Sequence, residues 1–251
     1  MKADESILDQ FYERRRTVFD RILVMNDSET RTAAMNMAID QALLESAPIS
    51  SVRFYRWSSA ALSFGYSVKF ADVSSYATQR DLVRRWTGGG IVFHGQDLTY
   101  SIVIPASDPV FSESAVSIYE NVHRALRDAL VALGQHAVVA VIGNSESYAR
   151  ADRSIGINDA AYNGHCFANP VHADILVNGR KIAGAAQRRT RRGLLQQGSI
   201  QGIDLSDDFR ARFTRELSKN CDERKIDDET SNRAREIAAW KYGTEEWLRR
   251  R

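Results

Sequence analysis

The stretch from Arg84 to Pro105, RRWTGGGIVFHGQDLTYSIVIP, places three consecutive glycines between a pair of arginines and a β-branched, aromatic run. Phosphate-binding loops lead from a strand into a helix, whereas Gly88 to Gly90 lead into IVFH, which is typical of a strand. The preferred interpretation is that residues without a Cβ let the backbone pass close to a ligand lying across a sheet. A glycine-rich hairpin without a ligand explains the local sequence equally well.

The polar residues of this stretch also leave alternatives open. Arg84 and Arg85 could hold a carboxylate or phosphoryl group by forked hydrogen bonds, or could point outward from a strand. His94 could be a base or an orienting donor, although a lone histidine is more often structural. The five histidines are scattered without HxxH or HExxH spacing, so we predict no metal site. Neither a GxSxG nor a GxGxxG pattern occurs.

Short β-rich runs separated by turn residues surround the glycines. Their composition predicts a meander of five strands, at Val52–Trp57, Ala61–Phe64, Leu82–Trp86, Ile91–His94 and Leu98–Ile104.

Helical periodicity lies on both sides of these strands. Apolar spacing predicts helices at Thr30–Ser46 and Ser114–Leu133, the second ending at Gly134. A hairpin around Asn178-Gly179, a strand at Leu194–Ile200 and a helical tail from Ser206 follow. We therefore predict an α+β fold with a mostly antiparallel, mixed sheet and helices packed on one side of it.

The composition is that of an ordinary globular protein. The 251 residues are 43% hydrophobic and 26% charged, with a net charge of +2, which disfavours a nucleic-acid-binding role. We expect one domain over residues 1–251, with its core at about 20–220 and a C-terminal helical tail at 221–251. Without an apolar span or a signal-like start, we expect a cytoplasmic protein with no membrane partner.

The chain has two cysteines, Cys166 and Cys221, and neither belongs to a CxxC pair. A buried packing role is the ordinary expectation for a free cysteine, and we assign it to Cys221. Cys166 invites a second interpretation, because an ammonium group close to a thiol favours the thiolate and Lys181 could supply it. Such a thiolate could carry an acyl group as a thioester for transfer to an amine.

Several motifs together resemble one known family. They are RRWTGGGIVFHGQDLTYSIVIP at 84–105, CFANP at 166–170 and NGRKIAGAAQRRTRRGLLQQGSI at 178–200, with weaker support from MNMAIDQALLES at 35–46 and KYGTEEW at 241–247. The sequence is similar to the superfamily of lipoate-protein ligase A and the octanoyltransferases, whose catalytic domain is shared with biotin protein ligases. The resemblance implies the class II synthetase-like fold of that domain.

The resemblance also implies roles for particular residues. An acyl slot would be lined by Arg85, Gly88, Gly89, Gly90, His94, Gly184 and Ala185. Cys166 would be the acyl-thioester nucleophile, with Lys181 lowering its pKa and orienting the acyl carbonyl, as in the cysteine-dependent octanoyltransferases.

The activity implied is transfer of an octanoyl or lipoyl group from acyl carrier protein to a lysine of a lipoyl domain or of glycine-cleavage H protein. We expect a monomer that needs no cofactor. The first alternative is a ligase that uses ATP and Mg²⁺, with Lys181 on the adenylate. The second is a non-catalytic homologue that binds an acyl group or a carrier protein.

Four positions depart from the pattern of the cysteine-dependent enzymes. Gly90 stands where they often carry arginine, and Asp174 resembles the acidic position of the ligases near the nucleotide and magnesium. Gln197 replaces a histidine before GSI, and Ala185 replaces a serine. These positions bear on the choice between transferase, ligase and binding protein.

Overall fold

The computed structural model describes residues 17–141 and 170–250. Eleven strands are described: β1 Ile22–Asn26, β2 Ser51–Tyr55, β3 Ala61–Phe64, β4 Asp81–Arg84, β5 Ile91–His94, β6 Leu98–Pro105, β7 Ala137–Val139, β8 Ile175–Val177, β9 Arg180–Arg189, β10 Gly193–Ile200 and β11 Cys221–Glu223. Eight of them form one sheet in the order β11-β1-β2-β6-β10-β9-β8-β7. In this sheet only β1 pairs parallel, with β2 and β11, so the predicted mostly antiparallel, mixed sheet is confirmed.

The predicted meander is wrong. β3, β4 and β5 form a separate three-stranded sheet, in which β3 pairs parallel with β4 and antiparallel with β5. A parallel pair needs a crossover connection, which residues 65–80 supply. β2 and β6 instead pair with each other in the larger sheet.

The helices are α1 Ala33–Ser46, α2 Ala115–Ala132, α3 Phe209–Leu217, α4 Asp228–Ile237 and α5 Glu245–Leu248, with a π-helical turn at Ala238–Tyr242 and 3₁₀ turns at Phe70–Asp72, Ser74–Tyr76 and Pro109–Ser112. The side chains of Thr32 and Ser114 cap α1 and α2, and Gly134 follows α2 with φ of 84°. Both long helices therefore confirm the predictions to within a few residues. None of the described helices is long and apolar enough to cross a membrane.

Helices cover both faces of the larger sheet, not one as predicted. Alternate side chains of a strand point to opposite faces, so Phe54 packs with α2 and α3, whereas its neighbour Tyr55 packs with α1 and α4. The smaller sheet lies beside α1 and has its own apolar cluster around Phe64 and Val73. The space between this sheet and strands β9 and β10 is where the site lies.

The sequence patterns do not predict strands β1 and β11, which form one edge of the larger sheet. β1 and β11 pair there, with Ile22 opposite Cys221. Cys221 is thus an exposed strand residue, and its predicted place in a packed helical tail is wrong. The Asn178-Gly179 hairpin is confirmed, because both residues have positive φ, 50° and 77°, as a type I′ turn requires.

Candidate functional site

A cavity of about 260 Å³ lies between the smaller sheet and strands β9 and β10. Its walls are largely apolar or lack side chains, and include Met37, Tyr55, Trp57, Val92, Gly89, Gly90, Gly184, Ala185 and Ala186. Two polar groups also line it, one formed by Lys181 and Asp174 and the other by His94, Thr99 and Ser199. Such a cavity suits an apolar chain with a polar head group.

The structure brings most of the predicted site residues together. Seven of them line the cavity: Arg85, Gly89, Gly90, His94, Lys181, Gly184 and Ala185. Gly88 is not among the lining residues, and its carbonyl accepts a hydrogen bond from Arg85. Cys166 lies outside the described residues, which resume at Pro170, one residue before the lining residue Val171.

Lys181 is held by a buried ion pair. Its Nζ lies 2.7 Å from Oδ2 of Asp174, whose side chain has no exposed surface. Asp174 also accepts hydrogen bonds from the Tyr119 hydroxyl and from the Val171 amide, both at 2.7 Å. The Tyr119 hydroxyl in turn accepts from the Ala185 amide at 3.1 Å. The carboxylate therefore fixes the direction of the ammonium group at the cavity wall.

His94 lies in a second buried network that lines the cavity. Its Nδ1 is 2.8 Å from Oδ2 of Asp97 and its Nε2 is 2.6 Å from Oγ of Ser63, while Trp57 stacks on its ring at 3.9 Å. Burial lowers the pKa of His94, although Asp97 opposes the shift. Ser63 also accepts from Arg85 at 2.7 Å, so its own hydrogen goes to Nε2, and the neutral ring donates from Nδ1 to Asp97.

The two arginines of the opening stretch bind backbone carbonyls. Arg85 donates to the carbonyls of Gly88 and Gly90, and Arg84 to those of Tyr66, Val68, Trp247 and Leu248. A Cβ on Gly65 would lie 1.9 Å from the Gly89 carbonyl oxygen, and Gly89 itself has φ of 82°. The arginines therefore hold a tight backbone contact that forms one wall of the cavity.

Gln197, one of the four positions that depart from the pattern of the resemblance, lies in β10 and lines the cavity. Its Nε2 donates to Oδ2 of Asp40 at 2.7 Å, and its Oε1 accepts from Thr87 at 2.9 Å. The amide thus joins α1 to the loop that carries the glycines. Both polar atoms of the Gln197 side-chain amide therefore have hydrogen-bond partners at the cavity wall.

Three residues of the site networks, Ser63, Asp97 and Tyr119, are not predicted from the sequence. Asp97 follows His94 by three residues in HGQD, a spacing that also occurs in exposed turns, and Tyr119 reaches the site from a helix. The described residues contain no group of three His, Cys, Asp or Glu side chains that could hold a metal ion. Asp174, which resembles the acidic position of the ligases near the nucleotide and magnesium, pairs with Lys181 and accepts hydrogen bonds from Tyr119 and the Val171 amide.

Comparison with known proteins identifies the family. Residues 32–237 match the lipoyl protein ligase A/B catalytic domain. The chain belongs to this family. It is 31% identical over 208 residues to the octanoyltransferase LipM of Brevibacillus brevis, covering 80% of this chain and 72% of the relative. It is 35% identical over 193 residues to LipM of Geobacillus kaustophilus, covering 73% of this chain and 66% of the relative.

Solved members of the family share the fold. A lipoate-protein ligase A bound with ATP superposes with a TM-score of 0.69 at 23% identity, covering 92% of this chain and 98% of that one. A bi-partite lipoate protein ligase of Thermoplasma acidophilum, described with its E2 lipoyl domain, gives 0.67 at 20% identity, covering 92% and 96%. The predicted α+β fold of the lipoate ligase catalytic domain is confirmed. The curated relatives support octanoyl transfer in protein lipoylation as the activity of this chain.

Proposed function

We propose that this protein is an octanoyltransferase that moves an octanoyl group from acyl carrier protein to a lysine of a lipoyl domain or of glycine-cleavage H protein. The observation that carries the proposal is a largely apolar cavity lined by the Lys181–Asp174 pair, in a chain whose curated relatives are octanoyltransferases. The cavity would take the acyl chain and the ion pair would lie beside its reacting carbonyl. The chain would act as a monomer in the cytoplasm without a cofactor.

The chemistry proceeds in two acyl transfers through Cys166. Its thiolate attacks the carbonyl carbon of the donor thioester, a new carbon–sulfur bond forms, and the donor thiol leaves and takes up a proton. The uncharged amine of the acceptor lysine then attacks the Cys166 thioester, so that an amide forms, the amine loses a proton and the Cys166 thiolate is released. The Lys181 ammonium stabilises the thiolate and the negative oxygen of each tetrahedral intermediate.

The reach of the chain supports this role for Cys166. Five positions separate it from Val171, which lines the cavity. Five residues span at most about 18 Å when fully extended. The proposal requires the Cys166 thiol to approach Lys181 at the cavity wall, and a tether of this length permits that approach.

The ATP-dependent ligase is the runner-up. It would need Asp174, or another group, to serve a magnesium ion, whereas Asp174 is the partner of Lys181 here. ATP and Mg²⁺ would then be required for any labelling, and Cys166 would be dispensable. A non-catalytic acyl-binding or carrier-binding homologue would give no labelling at all.

The test is incubation of the full chain with octanoyl-acyl carrier protein in the absence of ATP, followed by mass spectrometry. We expect one octanoyl group on the wild type, released by hydroxylamine, and its transfer to a lipoyl-domain or H-protein lysine. Cys166→Ser should abolish both steps. Cys221→Ser is the matched control, because Cys221 is exposed in β11 and should not affect them.

Two outcomes contradict the proposal. Acceptor labelling that requires ATP and persists in Cys166→Ser would assign the ligase activity. Absence of a modified lysine with either donor, for a protein that still binds octanoyl-carrier protein, would leave the non-catalytic homologue.

A further inference from the structure

Three cations surround one group of aromatic rings beside the cavity. We call Arg188, Lys241 and Arg250 the cationic cluster. Arg188 lies 5.4 Å from the Tyr66 ring and 5.3 Å from the Trp86 ring. Lys241 lies 4.2 Å from Trp86 and 4.3 Å from Trp247, and Arg250 lies 5.3 Å from Tyr66 and 5.5 Å from Trp247. Each ring thus faces two cations.

The positive charge of the cationic cluster is not matched by a bonded carboxylate in residues 17–141 and 170–250. Lys241 donates to Oε1 of Gln41 at 2.6 Å, and the Nε of Arg188 is buried without a hydrogen-bond partner. Burial, followed by repulsion from Arg188 and Arg250, lowers the pKa of Lys241 to about 8. Glu45 acts on Lys241 at longer range, but its carboxylate is bonded to Arg233. The cluster is therefore suited to an anion.

Arg188 joins the cationic cluster to the strand that forms part of the cavity wall. Gly184, Ala185 and Ala186 of β9 line the cavity, and Arg188 lies two residues beyond Ala186 with the same strand orientation as Gly184 and Ala186. Four residues of antiparallel strand span about 13 Å from Gly184 to Arg188. Trp86 directly follows Arg85, which also lines the cavity. An anion at the cluster could thus belong to the molecule that fills the cavity.

We propose that Arg188 and Arg250 bind the phosphodiester of the prosthetic arm that carries the acyl group of the donor. This inference rests on the proposed function. A phosphopantetheine arm bears its thioester at one end and its phosphate about 13 bonds away, which is roughly 16 Å when extended at about 1.2 Å per bond. The extended arm is therefore long enough to span the distance of about 13 Å between Gly184 and Arg188 along β9. Arginine offers forked donors to phosphate oxygens, while buried Lys241 adds positive potential behind the rings of Trp86 and Trp247.

The test compares S-octyl-4′-phosphopantetheine with S-octyl-pantetheine, thioethers that cannot transfer their chain and differ only in the phosphate. Binding to the full chain is followed by tryptophan fluorescence. We expect the phosphorylated ligand to bind the wild type about tenfold tighter, and this preference to fall to twofold or less in Arg188→Gln and in Arg250→Gln. Arg250 is exposed, so its variant keeps the test valid if Arg188→Gln folds poorly.

Arg189→Gln is the matched control. Arg189 neighbours Arg188 but bonds to the carbonyls of Phe111 and Glu113, so its variant should keep the tenfold preference. Equal binding of the two ligands by the wild type, or a preference that persists in both Arg188→Gln and Arg250→Gln, would overturn the proposal. ATP with Mg²⁺ is a third ligand. If it binds tighter than the phosphorylated thioether and loses affinity in the same variants, the phosphoryl group belongs to a nucleotide and the donor assignment is overturned.

These measurements are independent of acyl transfer. A phosphate preference in a protein that never labels an acceptor would reject the proposed function and keep the phosphate site. Cys166-dependent labelling without a phosphate preference would support the proposed function and reject the phosphate site.

Discussion

At the scale of single residues, the glycine triplet divides into positions with different requirements. Gly89 has φ of 82°, which L side chains rarely adopt, whereas a Cβ on Gly88 would meet no atom within 4 Å. We expect Gly89→Ala to lower the free energy of unfolding by about 1–2 kcal/mol, because it forces a side chain into the left-handed region. Gly88→Ala is the matched control and should be neutral or stabilising by up to about 1 kcal/mol. Urea denaturation of both variants measures this, and equal effects would contradict the assignment.

The hydrogen bonds of Gln197 lead to a second prediction, on the stability of the fold. Replacing it by leucine leaves the Thr87 hydroxyl without its acceptor and removes one of the two donors to Oδ2 of buried Asp40, which keeps the Tyr55 hydroxyl. An unsatisfied buried polar group costs about 1–3 kcal/mol, so Gln197→Leu should lower the free energy of unfolding by about that amount. Thermal and urea unfolding provide the measurement. Gln79→Leu, at an exposed position, should stay within about 0.5 kcal/mol of the wild type, and a similarly small effect at Gln197 would refute the network.

At the scale of elements, α2 anchors the segment that leads into β8. Tyr119 and His123 lie one turn apart on this helix, and they contact Asp174 and the Ala173 carbonyl, respectively. His123 donates from Nδ1 to Ala173 at 2.6 Å and accepts from the Tyr100 hydroxyl at Nε2. Helix α2 thereby fixes Ala173 and Asp174, the two residues that precede β8, and Asp174 is the acidic partner of Lys181.

Protonation of His123 should weaken this anchor. Burial lowers its pKa from 6.5 to about 4, although Ala173 and Asp174 oppose the shift. The unfolded state then binds a proton between these pH values and the folded state does not, so stability is complete above pH 6.5 and falls as the pH is lowered to about 4. The loss from this residue is about 3 kcal/mol at 1.36 kcal/mol per pH unit.

Unfolding in urea at pH 7, 6, 5 and 4 tests this dependence. His94, whose pKa is also lowered by burial, contributes in the same direction, so the wild type should not become independent of pH when His123 alone is replaced. His123→Gln should be less stable than the wild type at pH 7 but should lose less stability on acidification. A variant with an unchanged pH slope would show that His123 is not the group responsible.

The elements that the sequence predicts well are those whose signals are local. The caps Thr32 and Ser114 and the Asn178-Gly179 turn act on neighbouring residues, so α1, α2 and the β8–β9 hairpin follow from the sequence. Strand pairing does not, because the partner of Ile22 is Cys221, about two hundred residues away. The parallel pairing of β3 with β4 likewise depends on a crossover that periodicity does not encode.

The site shows the same division. His94, Lys181 and the lining glycines stand in motifs and were predicted to meet at one slot. Their partners Asp97, Ser63 and Tyr119 were not, because a short carboxylate, a strand serine and a helical tyrosine carry no local pattern that distinguishes them from ordinary polar residues. Only the packing of the smaller sheet and α2 against the larger sheet gives these side chains their roles.

At the scale of the whole molecule, the C-terminal segment completes the fold around the glycine loop. β11 extends the larger sheet, α4 packs on α1, and buried Trp247 donates from its indole to the Arg84 carbonyl at 2.9 Å. Arg84, which has an exposed fraction of 1%, donates in return to the carbonyls of Trp247 and Leu248. Strand β4, which leads into the glycine loop, is therefore joined to α5 across more than 160 positions of the sequence.

A chain ending at Gly243 should show what this closure contributes. The truncation removes the Trp247 side chain from the core and three hydrogen bonds from the Arg84 guanidinium, which keeps only the carbonyls of Tyr66 and Val68. A buried charge that loses its partners costs about 3–5 kcal/mol, so we expect the free energy of unfolding to fall by that amount. A chain ending at Leu248 is the control and should unfold like the full protein, because Arg249 and Arg250 are exposed and neither accepts a hydrogen bond from Arg84. Equal stability of the two truncated chains in urea would mean that the segment after Gly243 only covers the glycine loop and does not hold it in place.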